Sequence, residues 1–93
     1  YVRDVVNALL LLVKDPTAKH TVFNVATGKK TSLNRVIDIM QEVSDTKLNI
    51  IKKPGRDGDI HESYANVNKL STQGYVAKYS LNEGLRNLWE SLV

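Results

Sequence analysis

Apolar residues along the chain fall into three stretches with helical spacing and two short runs rich in branched side chains. Val5, Val6, Leu9, Leu10 and Val13 recur three and four apart, with Asp4 in position to cap the first turn and Pro16 closing the run two residues after Lys14. The spacing predicts a second helix, begun by Thr31 or Ser32 and ending near Ser44 and Asp45. In it Leu33, Val36, Ile37, Met40 and Val43 face inward and Arg35, Asp38, Gln41 and Glu42 face outward. A third follows Ser80-Leu81-Asn82-Glu83, which has the form of a capping box, and its apolar stripe is Leu81, Leu85, Leu88, Trp89 and Leu92. Asn66 is placed to cap a shorter helix from Val67 to about Gln73, stopped by Gly74.

Residues 21–26, Thr-Val-Phe-Asn-Val-Ala, and 47–52, Lys-Leu-Asn-Ile-Ile-Lys, read as strands. The first is followed by a turn at Gly28; the second sets Leu48 and Ile50 on one face and is stopped by Pro54. Strand, helix, strand most often closes as a right-handed crossover with parallel strands. The expected fold class is therefore α/β: a small helix-rich lobe with a strand-helix-strand unit of two short parallel strands and a C-terminal amphipathic helix. Neither an internal repeat nor a low-complexity segment interrupts the pattern.

The 93 residues are 42% apolar and 25% charged, the profile of one ordinary globular segment, residues 1–93. Thirteen Lys and Arg against ten Asp and Glu leave a net +3. The basic residues are interleaved with acids, which argues against nucleic acid as a partner. The longest apolar run, Ala8 to Val13, is far short of the roughly 20 residues of a spanning helix, so no membrane partner is expected. Without cysteine the chain has no disulfide, no thiol chemistry and no Cys-based zinc site, and the cytoplasm is the expected location. The chain opens on Tyr1 and enters a helical pattern within four residues, which reads as a piece of something longer; a processed amino terminus is the alternative.

Catalytic signatures are sparse. His20 and His61 lie 41 positions apart with no metal-ligand spacing around either, so no metal site is expected. The serines include no Gly-x-Ser-x-Gly elbow, and the five glycines never form a phosphate-binding glycine-rich turn between strand and helix. Residues 53–63 lack apolar periodicity and hold two glycines and a proline, as a loop does. Within it Arg56 is a planar, permanently charged donor suited to phosphate, Gly55 and Gly58 let backbone approach a ligand, and Asp59 can accept from sugar hydroxyls. The competing reading is an exposed ion pair between Arg56 and Asp57 or Asp59, worth about 0–1 kcal/mol, and composition alone favours it.

Seven short motifs shift that balance. They are Tyr-Val-Arg-Asp-Val-Val (1–6), Val-Phe-Asn-Val-Ala-Thr-Gly (22–28), Thr-Ser-Leu-Asn-Arg-Val-Ile (31–37), Pro-Gly-Arg-Asp-Gly-Asp-Ile (54–60), Ser-Tyr-Ala-Asn-Val-Asn-Lys (63–69), Gly-Tyr (74–75) and Ser-Leu-Asn-Glu-Gly-Leu (80–85). In this order and spacing the chain resembles the carboxy-terminal region of the NAD-dependent nucleotide-sugar epimerases and dehydratases, extended short-chain dehydrogenase/reductases typified by UDP-glucose 4-epimerase. The resemblance runs over residues 1–93.

It implies a substrate-binding lobe that in a parent enzyme folds against a Rossmann domain holding NAD and a Tyr-x-x-x-Lys catalytic pair. Here Tyr64 and Lys69 are five apart and Tyr75 and Lys78 three apart, so that pair is missing. In the family the Arg of the Pro-x-Arg-x-Gly-Asp loop contacts the nucleotide diphosphate and the Asp the ribose, roles that fall on Arg56 and Asp59. A second arginine that grips the diphosphate precedes the position of Tyr1, and Asn66 stands where the family commonly has Asp. The chain alone is expected to hold no NAD and to be inactive, with a nucleotide sugar and the Rossmann domain as partners in the parent. Readings from other classes are a dehydratase or reductase piece, a small autonomous anion or nucleic-acid module, and an interaction domain docking through its last helix. Surface covered in a parent, such as the leucine run of the first helix, leads to an expectation of self-association.

Overall fold

A computed structural model describes residues 1–58 and 63–93. Its elements are α1 (Val2–Val13), a 3-10 turn (Pro16–Ala18), α2 (Leu33–Ser44), α3 (Asn68–Ser71) and α4 (Leu81–Leu92). The three long helices fall where the apolar periodicity puts them. Ser32 caps α2 by accepting from the Arg35 N–H, and the helix ends at Asp45 in a left-handed conformation (φ 50°). Ser80 and Glu83 close both halves of the capping box on α4, the Ser80 N–H donating to Glu83 at 2.9 Å and the Glu83 N–H to Ser80 at 3.1 Å.

The α/β expectation is overturned: among the described residues there is no strand, and the strand-helix-strand unit does not form. Branched and aromatic content reports that a segment suits a half-buried pleated surface; the ladder itself needs a neighbour's N–H and C=O groups. Residues 21–26 find side chains instead. The Lys69 ammonium donates to the Val22 carbonyl at 2.6 Å, and the Asn24 amide to the Asn66 carbonyl at 3.2 Å. Phe23 and Val25 then pack, half-buried, on the core. Residues 47–52 lie at the surface, with Leu48, Ile50 and Ile51 exposed. Their tie to α2 is the Leu48 N–H donating to Gln41 Oε1 at 3.0 Å, so Gln41 reaches along the chain instead of facing water.

Two capping assignments also move. Helix α1 starts at Tyr1, whose carbonyl accepts from Asp4 and Val5, so Asp4 sits inside the first turn and does not cap it. Helix α3 is capped at Val67, while the Asn66 side chain accepts from the Asn68 N–H at 2.9 Å. An aspartate would make the same bond. Gly74 (φ 92°) ends that segment as expected.

One core gathers Ala8, Leu70 and Tyr75, with Leu11, Leu12, Phe23, Val25 and Ala77 against it. Separately, α2 packs on α4, with Ile39 buried to 1% exposure. The whole is thin, 49 × 35 × 17 Å, with a radius of gyration of 16.4 Å. A closed domain of this length would have about 12 Å. The accessible surface, 7826 Å², is nearly half as much again as the roughly 5,400 Å² expected for a closed monomer of this mass.

Candidate functional site

The buried charge Asp4, 4% exposed, organises the region where the elements converge. Its carboxylate accepts from the backbone N–H of Lys78 at 2.9 Å and of Tyr79 at 3.3 Å, binding α1 to the segment that leads into α4. Next to it Tyr75 is buried, and its phenol is pushed above the ordinary tyrosine range, first by burial and then by the negative charge of Asp4. The rings of Tyr1 and Tyr79 meet at 4.9 Å and 59°. Arg3 is held further into its charged form, first by a hydrogen bond with Tyr79.

Around this junction the motif glycines have steric reasons. A Cβ on Gly84 would lie 3.2 Å from the Tyr1 Cβ, so glycine lets α4 approach the start of α1. Gly28 is left-handed (φ 74°), and a Cβ there would lie 3.0 Å from Val67 Cγ2. Much of what carries the family resemblance is therefore architecture.

Two adjoining clefts share this junction. One, of about 740 Å³, runs between residues 26–31 and 75–83; Lys29 and Lys78 supply cations, and Thr27, Thr31 and Ser71 supply hydroxyls. The other, of about 390 Å³, is a more apolar slot lined by Tyr1, Val2, Leu85 and Leu88. A third cleft, of about 550 Å³, is bounded by Gly28 and residues 64–68. On its wall Lys30 Nζ stands 4.9 Å from the centre of the Tyr64 ring. Tyr64 and Lys30 carry no signature at sequence level beyond the place of Tyr64 in the Ser-Tyr-Ala-Asn motif.

Arg56 is exposed, at the end of the arm that leaves α2 and just before the Asp57-Gly58 turn. It lines none of these three clefts. Asp59, the expected ribose acceptor, and His61 lie outside the described residues. The structure thus does not bring Arg56 to the basic cleft. His20 is far from both in sequence and adopts a left-handed conformation (φ 61°).

Among the described residues no group of three His, Cys, Asp or Glu gathers as a metal would require. Nor do the described residues fit NAD: no glycine pair opens a helix, Gly28 being separated from α2 by Lys29–Ser32, so they form no dinucleotide cradle. The cleft's two lysines stand with one carboxylate, Glu83, and several hydroxyls, a lining that leaves a small excess of positive charge; the buried carboxylate of Asp4 is spent on backbone donors. No described helix is long and apolar enough to cross a membrane.

Comparison with known proteins agrees with the motifs. No family model matches the chain, and no solved structure matches it. The chain is 34% identical over 91 residues to a CDP-abequose synthase of Salmonella muenchen, a match covering 95% of the chain and 31% of that protein. It is 31% identical over 83 residues to a UDP-glucose 4-epimerase of Cyamopsis tetragonoloba, covering 88% and 24%. It is 33% identical over 85 residues to a bifunctional UDP-glucose 4-epimerase and UDP-xylose 4-epimerase of Arabidopsis thaliana, covering 90% and 24%. Nearly the whole chain is thus similar to part of proteins named as a CDP-abequose synthase and as UDP-glucose 4-epimerases, and it spans about a quarter to a third of the length of these three relatives.

Proposed function

We propose that this relative of the nucleotide-sugar epimerases is a substrate-holding portion of such an enzyme, with Arg56 contacting the nucleotide diphosphate and Asp59 the ribose. The observation that carries the reading is the alignment itself. It takes in 88–95% of the chain, including the Pro-Gly-Arg-Asp-Gly-Asp loop region, but 24–31% of those relatives. The exposure of Arg56 at the surface is compatible with that role, since a planar guanidinium there is within reach of a phosphate. In this reading the chain orients the nucleotide half of the substrate, and hydride chemistry on NAD belongs to residues outside it. UDP-glucose is the first substrate to try, with a dehydratase or reductase substrate as the alternative.

Titration of the ¹⁵N-labelled chain with UDP-glucose tests this. Amide shifts are expected around residues 54–59 at millimolar ligand, weakened about tenfold by Arg56→Gln, as loss of a charge-assisted hydrogen bond requires. No turnover is expected from the chain alone. Shifts confined to Lys29 and Lys78, and indifferent to Arg56→Gln, would move the site to the basic cleft and overturn the assignment.

A further inference from the structure

We infer that Asp57 is a self-modifying residue: the Gly58 backbone nitrogen closes on the Asp57 side chain to give a succinimide, which water reopens to isoaspartate. Asp57-Gly58 is the one place in the 93 residues where glycine follows an aspartate or an asparagine. Both residues are exposed and form the turn after Arg56. Gly58 is left-handed (φ 83°), and nothing lies within 4 Å of where its Cβ would stand, so a ring has room to close there. Among the described residues no hydrogen bond holds the Asp57 carboxylate or the Gly58 N–H. The step needs only water. The nitrogen attacks the Asp57 Cγ of the protonated carboxyl, its proton and the carboxyl hydroxyl depart as water, and a five-membered imide remains. Hydrolysis adds one water back. Opening at the Cγ carbonyl restores aspartate; opening at the Asp57 backbone carbonyl frees the α-carboxylate and leaves the main chain running through the side chain.

Every other aspartate lacks one of these conditions. The nitrogen after Asp4, that of Val5, donates to the Tyr1 carbonyl at 3.3 Å, and the nitrogen after Asp45, that of Thr46, donates to the Gln41 carbonyl at 3.2 Å. Asp15 precedes Pro16, which has no N–H to give up. Asp38 lies inside α2 before the buried, branched Ile39. Asp59 precedes Ile60, whose branched side chain crowds the attacking nitrogen. The reacting atoms at 57 and 58 belong to one peptide unit and depend on no distant segment. Isomerisation puts one more carbon into the main chain directly after Arg56 and turns a carboxylate out beside it. On the reading of Arg56 as the diphosphate contact, the modified chain presents its guanidinium out of register. An isoaspartyl carboxyl methyltransferase, which esterifies a freed α-carboxylate from S-adenosylmethionine, has its substrate position here.

The isomerisation itself does not depend on nucleotide-sugar binding and is tested without ligand. The full 93-residue chain is aged at physiological temperature and about pH 5, close enough to the ordinary aspartate value of about 3.9 for some carboxyl to be protonated. A peptide of residues 54–60 is aged beside it until half has converted. Isoaspartate, located by electron-transfer fragmentation and counted by methyl transfer from labelled S-adenosylmethionine, should accumulate at 57 ahead of every other aspartate, at a rate comparable with the peptide's. A species lighter by one water should accompany it. Gly58→Ala should slow the reaction at least about tenfold, since a Cβ crowds the attacking nitrogen and disfavours the left-handed turn. Asp57→Glu, whose imide would be six-membered, should abolish the signal. Both positions are exposed, so far-UV circular dichroism should be unchanged in the two variants. A chain still intact at 57 when the peptide is half converted overturns the inference. So does isoaspartate that appears first at Asp38 or Asp45, or a rate at 57 indifferent to Gly58→Ala.

Discussion

Helices α1 and α2 are both 12 residues long, yet they are stabilised in opposite ways. Helix α2 is amphipathic in the ordinary sense: a serine caps it, it packs on α4 with Ile39 buried, and Arg35, Asp38 and Glu42 face solvent. Its own chain covers that face except at Leu33, which is exposed in the first turn. Helix α1 has no side-chain cap, exposes six branched or leucine side chains, and is held by a carboxylate in its first turn that reaches the backbone 74 and 75 residues away. The difference separates local from distant causes. Helix α2 would be marked as a surface helix in any context, whereas α1 is fixed by one long-range polar junction and leaves an apolar face for something else to cover.

Removing the junction should produce the largest change. Asp4→Ala strands two backbone donors near the core and cuts the tie between α1 and residues 78–79. With charge-assisted bonds worth about 1.5–3 kcal/mol each, a loss of about 4 kcal/mol is expected from urea unfolding. Against a total of about 5–15 kcal/mol for a domain, that leaves little folded protein. The contrast between the helices is sharpened by a matched pair. Ile39→Ala should cost about 3 kcal/mol through the cavity it leaves. Leu9→Ala, measured at concentrations where the chain is monomeric, should cost no more than about 0.5 kcal/mol. Equal losses would mean that α1 is packed within the monomer and would break the comparison.

The sequence made the helices legible because their causes are local: spacing, Ser32, the Ser80 and Glu83 box, Gly74. What it did not reveal is whatever depends on partners far along the chain. Asp4 has the chemistry of a cap and sits where a cap would sit, and only the approach of Lys78 and Tyr79 makes it an internal tie. Residues 21–26 have strand composition but meet the Lys69 side chain, through the Val22 carbonyl, and the Asn66 carbonyl, through the Asn24 amide, instead of a strand. The stripe on α4 divides as well: Leu85 and Trp89 are half-buried, while Leu81, Leu88 and Leu92 remain exposed. For the candidate site, resemblance supplied Arg56 and Asp59 and the alignments support the family, whereas the cleft bearing Lys29 and Lys78 depends on residues some fifty positions apart, a distance no local motif records.

The smallest effect expected is also on the α1 side, and it appears only in alkali. Burial, and secondarily the charge on Asp4, raise the Tyr75 phenol above its ordinary value in the folded chain. An unfolded tyrosine ionises near pH 10. Because the folded state keeps its proton to higher pH than the unfolded state does, the unfolded chain releases the proton first. The contribution of Tyr75 is therefore fully present below about pH 10 and is lost as the pH climbs through the folded value. Urea midpoints should be flat for this group from neutral pH to about pH 9 and fall above pH 10. Tyr75→Phe, which keeps the ring in contact with Ala8 and Leu70, should remove part of that fall and leave the neutral-pH midpoint within about 1 kcal/mol of the parent chain. An identical alkaline slope in the two proteins would assign the sensitivity to other groups. It would also show that the pocket between α1 and α3 admits enough water to stabilise a phenolate beside Asp4.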